Sequence, residues 1–465
     1  MTFKGIGLSA ADTTKKRRQT RPTANHRHDR HFAHFRAPSL PPPVLPQLPR
    51  VGQTLILPAP VSQPTPLPIS IQSPSDQRLE FLARHLLAGG LAILPTETVY
   101  GLAASAASAT GLKNLRALLS GTAPPHPLHP PHTWHAPSAD IVMQALEIRS
   151  PLQKRLFQVL TPGPVRFIAT RPDGAAAKIT ATLGCLPGAI DSPQGEISVR
   201  IPDATHTRDI LARVGVPIVM ERVSAVTVAG QPLADARHPT VADAARAAAL
   251  GIELLNLGPT RLGVPSTTIR LLSSGGYSII AEGAMDEKTI RRKVERVMLM
   301  VCTGNTCRSP MARAIAEHAL ATMAEQSAAS SPGLAPVPTR VISAGVAAGE
   351  GAPMTPEARE ALREMGIDAG PHRAKALTRE MLRSADVVFA MTSQHLAALR
   401  SAEPSAARDA ALLDPAGKDV EDPIGGPLED YRVVARAMRA MIEKRLSEII
   451  ARDKAHDQSR NRSTP

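Results

Sequence analysis

Cysteine is scarce in this sequence: Cys185, Cys302 and Cys307 are its only three in 465 residues. Three thiols cannot build a disulfide framework, and the spacing of the last two is not that of a zinc site, so the expectation is a reducing, cytoplasmic setting with no metal centre. Long apolar runs are missing too. No stretch approaches the roughly 18 residues a membrane-spanning helix requires, and no membrane association is expected. The N-terminus has no apolar centre of a secretory signal; being basic and acid-poor, it leaves organelle targeting as a minor alternative. Aromatic residues amount to 2 % of the chain, whereas its 44 prolines crowd toward the N-terminus and conceal a segment unlike the rest.

That segment is residues 1–76. It carries Lys15-Lys16-Arg17-Arg18, four histidines (His26, His28, His31, His34) and Pro41-Pro42-Pro43. The first fifty residues hold ten Lys and Arg against Asp12 and Asp29, so most of the formal charge of +13 is local to this arm. Without a periodic apolar face such a stretch cannot offset its ordering entropy, and a disordered arm is expected. The histidines lack a fixed geometry for a metal and read as part of a solvated tail. A basic arm of this kind can add salt-dependent, sequence-independent affinity for RNA.

The length implies two or three domains. From Gln77, apolar residues recur at helical spacing (Leu79, Phe81, Leu82, Leu86, Leu87) until Gly89-Gly90, and the apolar run Leu91–Leu94 follows as a strand. Helices and strands then alternate to about residue 292, which predicts an α/β domain over 77–292, interrupted by a proline- and histidine-rich insert from Pro124 to His135. A second α/β unit is expected over 296–452, opening with the buried strand Val297–Val301 and closing with a helix near 431–450. Residues 453–465 form a polar tail.

After Val297–Val301 comes Cys302-Thr303-Gly304-Asn305-Thr306-Cys307-Arg308-Ser309-Pro310, then a helix-forming run from Met311 to Met323. A tight loop between a strand and a helix N-terminus turns successive backbone N–H groups toward one point, making a nest for a tetrahedral anion at the positive end of the helix. Gly304 and Asn305 suit unusual backbone angles, and Pro310 suits a first helical turn. The same field favours a thiolate at Cys302, a nucleophile. Six residues on, Arg308 can fold over the loop and grip two phosphate oxygens with its planar fork. Hydrolysis through a thiol-phosphate then needs an acid for the leaving group and a base for water. Asp422, in Glu421-Asp422-Pro423, is the candidate for both. Cys307 either packs the loop or protects Cys302 by a reversible disulfide.

Cys-x5-Arg-Ser-Pro after a strand, Ser343-Ala344-Gly345 and a late Asp-Pro, in that order over about 296–452, resemble the low-molecular-weight protein-tyrosine-phosphatase family. The resemblance implies a doubly wound parallel sheet, a phosphorylated protein substrate and no cofactor. It implies that Cys302 is nucleophile, that Arg308 binds phosphate, that Asn305 and Ser309 hold the loop and the thiolate, and that Asp422 is general acid; Thr303, Gly304, Thr306 and Cys307 complete the phosphate-binding loop. Phosphotyrosine enzymes of the family usually carry a bulky aliphatic residue where this chain has Thr306, and threonine there resembles the protein-arginine phosphatases. Arsenate reductases share the loop but use further cysteines downstream, and none follows Cys307.

Pro95-Thr96-Glu97-Thr98-Val99-Tyr100-Gly101-Leu102, followed in order by Pro162-Gly163-Pro164, Ser198–Pro202, Ser224-Ala225, Pro265-Ser266-Thr267-Thr268 and Glu282-Gly283-Ala284, resembles the YrdC/Sua5 family over about 77–292. That resemblance implies a twisted open α/β sheet and a synthase joining threonine, bicarbonate and ATP, with Mg, into threonylcarbamoyl-adenylate for tRNA modification. Thr96, Tyr100, Arg200, Ser224 and Ser266 are the site residues retained. Three departures fall on expected substrate contacts. Ser120-Gly121-Thr122-Ala123 stands where Lys-Gly-Arg-Pro is usual, Val226 replaces an asparagine, and Ala281 replaces an arginine. Lys113 and Arg116 are the candidates to substitute for the lost charges. The expectation is a degenerate synthase domain, with double-stranded-RNA or nucleotide binding, or retained synthesis, as alternatives.

Overall fold

The first described helix runs Asp76–Leu87, capped by the Ser75 side chain, and it ends where Gly89 takes φ +91°. A side chain is disfavoured at that angle, which is why glycine stands there. The computed structural model describes residues 73–119, 132–171, 174–228, 230–330 and 335–455. The basic arm up to residue 72, Ser120–Ala123, most of the proline- and histidine-rich insert and the last ten residues therefore lie outside the described residues.

The following apolar run, Leu91–Leu94, enters a nine-stranded mixed sheet. Its spatial order is Tyr277–Ala281, Thr267–Leu271, Val165–Thr170, Glu196–Arg200, Thr133–His135, Ile218–Arg222, Gly101–Ser105, Leu91–Leu94, Ile252–Leu254. Both faces of the Leu91–Leu94 strand are covered: Leu91 and Ile93 enter one apolar cluster with Tyr100 and Trp134, while Ala92 and Leu94 pack with Leu82 and Leu86 of the first helix. An unbroken apolar run is what a strand buried on two sides requires.

The helix Glu287–Val294 leads directly into Arg296–Cys302, the second strand of a four-stranded sheet ordered Thr339–Gly345, Arg296–Cys302, Val387–Ala390, Ala411–Leu412. All three pairings are parallel. Side chains alternate across it. Met298, Met300 and Cys302 face the helices Arg308–Ser330 and Leu428–Ala455, meeting Met311, Ile315, Tyr431 and Met438, while Leu299 and Val301 face Leu382 and Leu399 on the other side. Helices on both faces make this the doubly wound arrangement expected from the sequence. The Arg296–Cys302 strand is flanked on one side by the strand after it and on the other by the strand after that. The chain thus reverses its direction of winding beside Cys302, and in open α/β sheets ligands bind at the carboxyl ends of strands at such a point.

Three boundaries differ from expectation. Thr133–His135, expected to close the proline- and histidine-rich insert, is instead a buried strand paired with Glu196–Arg200 and Ile218–Arg222. The Arg296–Cys302 strand takes in Cys302 itself, because Cys302 pairs with Gly345 as the last rung of the ladder. The final helix runs on to Ala455, past the expected start of the polar tail, with Arg296 holding Asp453 at 2.7 Å.

Candidate active site

Cys302 ends its strand 2 % exposed, and its sulfur is met by the Ser309 hydroxyl at 2.9 Å and by the Asn305 backbone N–H at 3.2 Å. The loop turns at Asn305, whose φ is +55°. Asparagine tolerates the left-handed region better than most residues because its short polar side chain bonds locally. Here that side chain is fully used. Its Nδ2 donates to Ser309 Oγ (2.8 Å) and its Oδ1 accepts from the Lys375 backbone N–H (2.9 Å), while the Asn305 backbone carbonyl meets His372 Nε2 at 2.7 Å. Gly304 stands outside the left-handed region, contrary to expectation, since the single inversion at Asn305 suffices to turn the chain. The glycine that the loop does require is Gly345, where a Cβ would sit 2.4 Å from the Thr303 carbonyl oxygen and 2.9 Å from the Asn305 nitrogen.

Among the described residues no acceptor takes the backbone N–H of Thr303, Gly304, Thr306 or Cys307. These donors open the helix that starts at Arg308, where an anion would find unpaired N–H groups and the positive end of the helix dipole together. Pro310 falls in the first helical turn as expected.

Arg308 is 5 % exposed, and its guanidinium is held from three sides: by the Val420 carbonyl (3.2 Å), by Thr303 Oγ1 (3.3 Å) and by Asp422 Oδ2. Asp422 is 39 % exposed, so this carboxylate reaches from the rim onto a buried cation. Asp422, 114 residues beyond Arg308, is thereby joined to the loop that holds Cys302 and Arg308 through the Glu421–Gly426 turn. Beside them Cys307 is buried and faces away from the loop mouth, with Thr355 Oγ1 at 3.6 Å and Tyr431 Oη at 3.8 Å. The Thr306 carbonyl is fixed by the Thr355 N–H at 3.1 Å, and its hydroxyl makes only a weak sulfur contact to Cys307 at 3.6 Å.

Sequence reasoning missed His395. Thr392 caps its helix by accepting from the His395 backbone N–H, the Thr392 hydroxyl also meets His395 Nδ1 at 2.8 Å, and His395 Nε2 meets Thr303 Oγ1 at 2.9 Å, so a line of hydrogen bonds runs from Thr392 through His395 and Thr303 to Arg308. Burial, and then the Arg308 charge, lower the pKa of His395 and favour the neutral ring. The signal available in sequence was Thr392-x-x-His395 after an apolar strand, which reads equally as a helix cap.

Two family models match the chain. The one described as low molecular weight phosphotyrosine protein phosphatase covers residues 297–459, and the one described as Telomere recombination, which spans Sua5, YciO and YrdC, covers residues 84–283. A protein-arginine-phosphatase of Geobacillus stearothermophilus is 37 % identical over 151 residues, 32 % of this chain and 91 % of that protein. The chain belongs to the low-molecular-weight phosphatase family. A probable low molecular weight protein-tyrosine-phosphatase of Ralstonia solanacearum, EpsP, is 34 % identical over 28 % of this chain and 78 % of its own length. The solved arginine phosphatase YwlE of Geobacillus stearothermophilus aligns at 35 % identity over 35 % of this chain and 96 % of its own, with a TM-score of 0.29. The chain is thus a cysteine-based protein phosphatase fused to a Sua5/YrdC-like, synthase-like module. Among the described residues no helix is long and apolar enough to cross a membrane.

In the synthase-like module, Thr96, Glu97 and Tyr100 line a cavity of about 200 Å³ with Asp203 and Arg261. Arg200 does not line the cavity but bonds two residues that do, 2.8 Å from Glu97 and 3.5 Å from Thr96 Oγ1, both Arg200 and Glu97 being buried. The Tyr100 hydroxyl donates to the Gly258 carbonyl (2.7 Å) and accepts from the Leu257 N–H (3.0 Å), a structural use of both its capacities. Ser224, exposed in a short 3-10 turn, and half-buried Ser266 do not line this cavity. Ser266 instead belongs to a junction that requires Gly283, where a Cβ would lie 2.3 Å from the Pro265 carbonyl oxygen. Val226 is fully buried in the apolar core, Ala281 is exposed, and neither Lys113 nor Arg116 lines the cavity; Arg116 reaches the Gly188 carbonyl instead.

Proposed function

We propose that the phosphatase domain hydrolyses phosphoarginine in proteins through a phosphocysteine intermediate. The Cys302 thiolate, supported by the Ser309 hydroxyl and the Asn305 N–H, attacks phosphorus while Arg308 and the free loop N–H groups hold the equatorial oxygens. As the S–P bond forms, the P–N bond breaks and Asp422 gives its proton to the departing guanidine. In the second step Asp422 takes a proton from water, whose oxygen attacks phosphorus and releases phosphate and the thiolate. The observation that carries the arginine reading is Thr306. A small side chain with a weakly engaged hydroxyl leaves room beside the loop and a hydrogen-bonding group for a planar phosphoguanidinium or for the attacking water. The relative named protein-arginine-phosphatase supports the same reading, and the relative named for tyrosine keeps phosphotyrosine as the second one.

Thr306→Ile tests the choice. With phosphoarginine and phosphotyrosine peptides assayed side by side, the substitution is expected to shift the kcat/KM ratio at least tenfold toward tyrosine. An unchanged ratio overturns the role of Thr306.

For the synthase-like module we infer loss of the ancestral reaction. The residues present do not suit a triphosphate with Mg and a threonine carboxylate: Arg200 already has a carboxylate partner in Glu97, Val226 is committed to the core, and Ala281 offers no charge. Each missing cationic contact to a phosphate costs about 2–5 kcal/mol, so two losses remove several orders of magnitude in rate. Pyrophosphate release from threonine, bicarbonate and ATP is expected to run at least about 100-fold below that of an intact synthase. Comparable turnover would restore the bifunctional reading. ATP or double-stranded RNA binding without turnover would favour a module that delivers or regulates the phosphatase.

A further inference from the structure

A second cavity, of about 610 Å³, opens beside the Thr339–Gly345 strand at the edge of the four-stranded sheet. None of Cys302, Thr303, Thr306, Arg308 or Asp422 lines it, so it is separate from the phosphate loop. Its wall carries Arg313, Arg340, Arg373 and Lys375 with His372, against the single carboxylate of Glu380. Ion pairing leaves much of this charge available. Arg340 has Glu295 at 2.8 Å and Arg313 has Glu317 only at 3.8 Å, while among the described residues no carboxylate pairs with Arg373 or Lys375. Burial and the neighbouring cations Arg313, Arg359 and Lys375 lower the pKa of His372 and keep its ring neutral, a field in which added positive charge is unwelcome and an anion is not.

The cavity is also connected to the loop. His372 meets the Asn305 carbonyl at 2.7 Å and the Lys375 backbone N–H donates to Asn305 Oδ1 at 2.9 Å, and Asn305 is the residue whose own N–H donates to Cys302 Sγ.

We propose that this cavity is a binding site for a small polyphosphate anion, one carrying at least two phosphate groups, and that its occupancy is communicated to the phosphate loop through His372 and Lys375. Two adjacent phosphates match a wall of separated cations better than one does, since a single tetrahedral anion can engage only part of it. The volume exceeds the need of pyrophosphate and accommodates a nucleoside polyphosphate, whose phosphates present the same chemistry.

The test is calorimetric titration of the full chain with pyrophosphate, with ATP and with inorganic phosphate, in an Arg308→Ala background that removes the clamp of the phosphate loop. Pyrophosphate binding is expected to persist there, to exceed phosphate affinity at least tenfold, to weaken with salt, and to fall at least tenfold when Arg340→Glu and Arg373→Glu are added. In the part of the binding that the two charge reversals remove, ATP matching pyrophosphate assigns the site to the phosphates alone, and tighter ATP binding extends it to the nucleoside; both support the proposal, whereas ATP binding that the reversals leave untouched belongs elsewhere in the chain. Binding lost with Arg308→Ala, or untouched by the two charge reversals, overturns it. So does binding confined to a multiply phosphorylated peptide, which would make the cavity a docking surface for substrate protein. With Arg308 intact, pyrophosphate is expected to change kcat as well as KM, whereas an anion competing only for the loop changes KM alone. The titration reads binding and remains decisive even if the proposed arginine specificity fails.

Discussion

Cys302→Ser is expected to lower kcat at least about 10⁴-fold on phosphoarginine and phosphotyrosine substrates alike, which corresponds to more than about 5 kcal/mol of transition-state stabilisation. The substitution is nearly isosteric and leaves Ser309, the Asn305 N–H and the packing of Met300 and Met311 in place, so the protein should fold and still bind phosphate. What it removes is the sulfur nucleophile: the Asn305 N–H donates to this sulfur and the Ser309 hydroxyl lies beside it, whereas a serine oxygen in the same place is a far poorer nucleophile near neutral pH. Residual turnover within tenfold of the unmodified protein would exclude Cys302 as nucleophile. Phosphate affinity should meanwhile stay close to the original, because Arg308 and the loop N–H groups are untouched.

The loop was legible because its chemistry is local. Nine consecutive residues hold Cys302, Asn305 and Arg308 together at the end of a strand and the start of a helix, and a buried parallel strand announces itself as an unbroken apolar run. Asp422 was legible as a type, an acid stiffened by Pro423, but its partner was not, because the contact to Arg308 depends on how the turn after the Ala411–Leu412 strand returns to the loop. His395, His372 and the Lys375 backbone were not legible for the same reason. His372 and Lys375 lie in the connection between the helices Pro356–Glu364 and Arg379–Ser384, and His395 in the helix Ser393–Ala402; the parallel register that sets Cys302 opposite Gly345 brings both segments to one end of the sheet. The synthase-like module shows the converse. Its ordered motifs identified the fold, yet the pairing of Arg200 with Glu97 and the burial of Val226 are properties of packing that no motif carries.

Asp422→Asn is expected to lower kcat about 10²–10⁴-fold on a phosphopeptide, with a much smaller loss on an aryl phosphate whose leaving group departs as a stable anion. The contrast separates the proposed acid role of Asp422 from its contact with Arg308. As a proton donor Asp422 matters in proportion to the basicity of the leaving group, and an amide cannot replace it. As the counter-charge of buried Arg308 it matters equally for every substrate, since a guanidinium left with only the Val420 carbonyl and Thr303 Oγ1 would shift or hold phosphate differently. Comparing the two substrates in one variant therefore reads the acid role directly. A loss of the same size on both, seen already in the rapid burst that reports phosphocysteine formation, would assign Asp422 to positioning Arg308. A loss confined to the basic leaving group would fix it as the acid, and a further fall in the rate of phosphocysteine breakdown, measured by phosphate release after a rapid burst with the aryl phosphate, would fix it as the base that activates water in the second step.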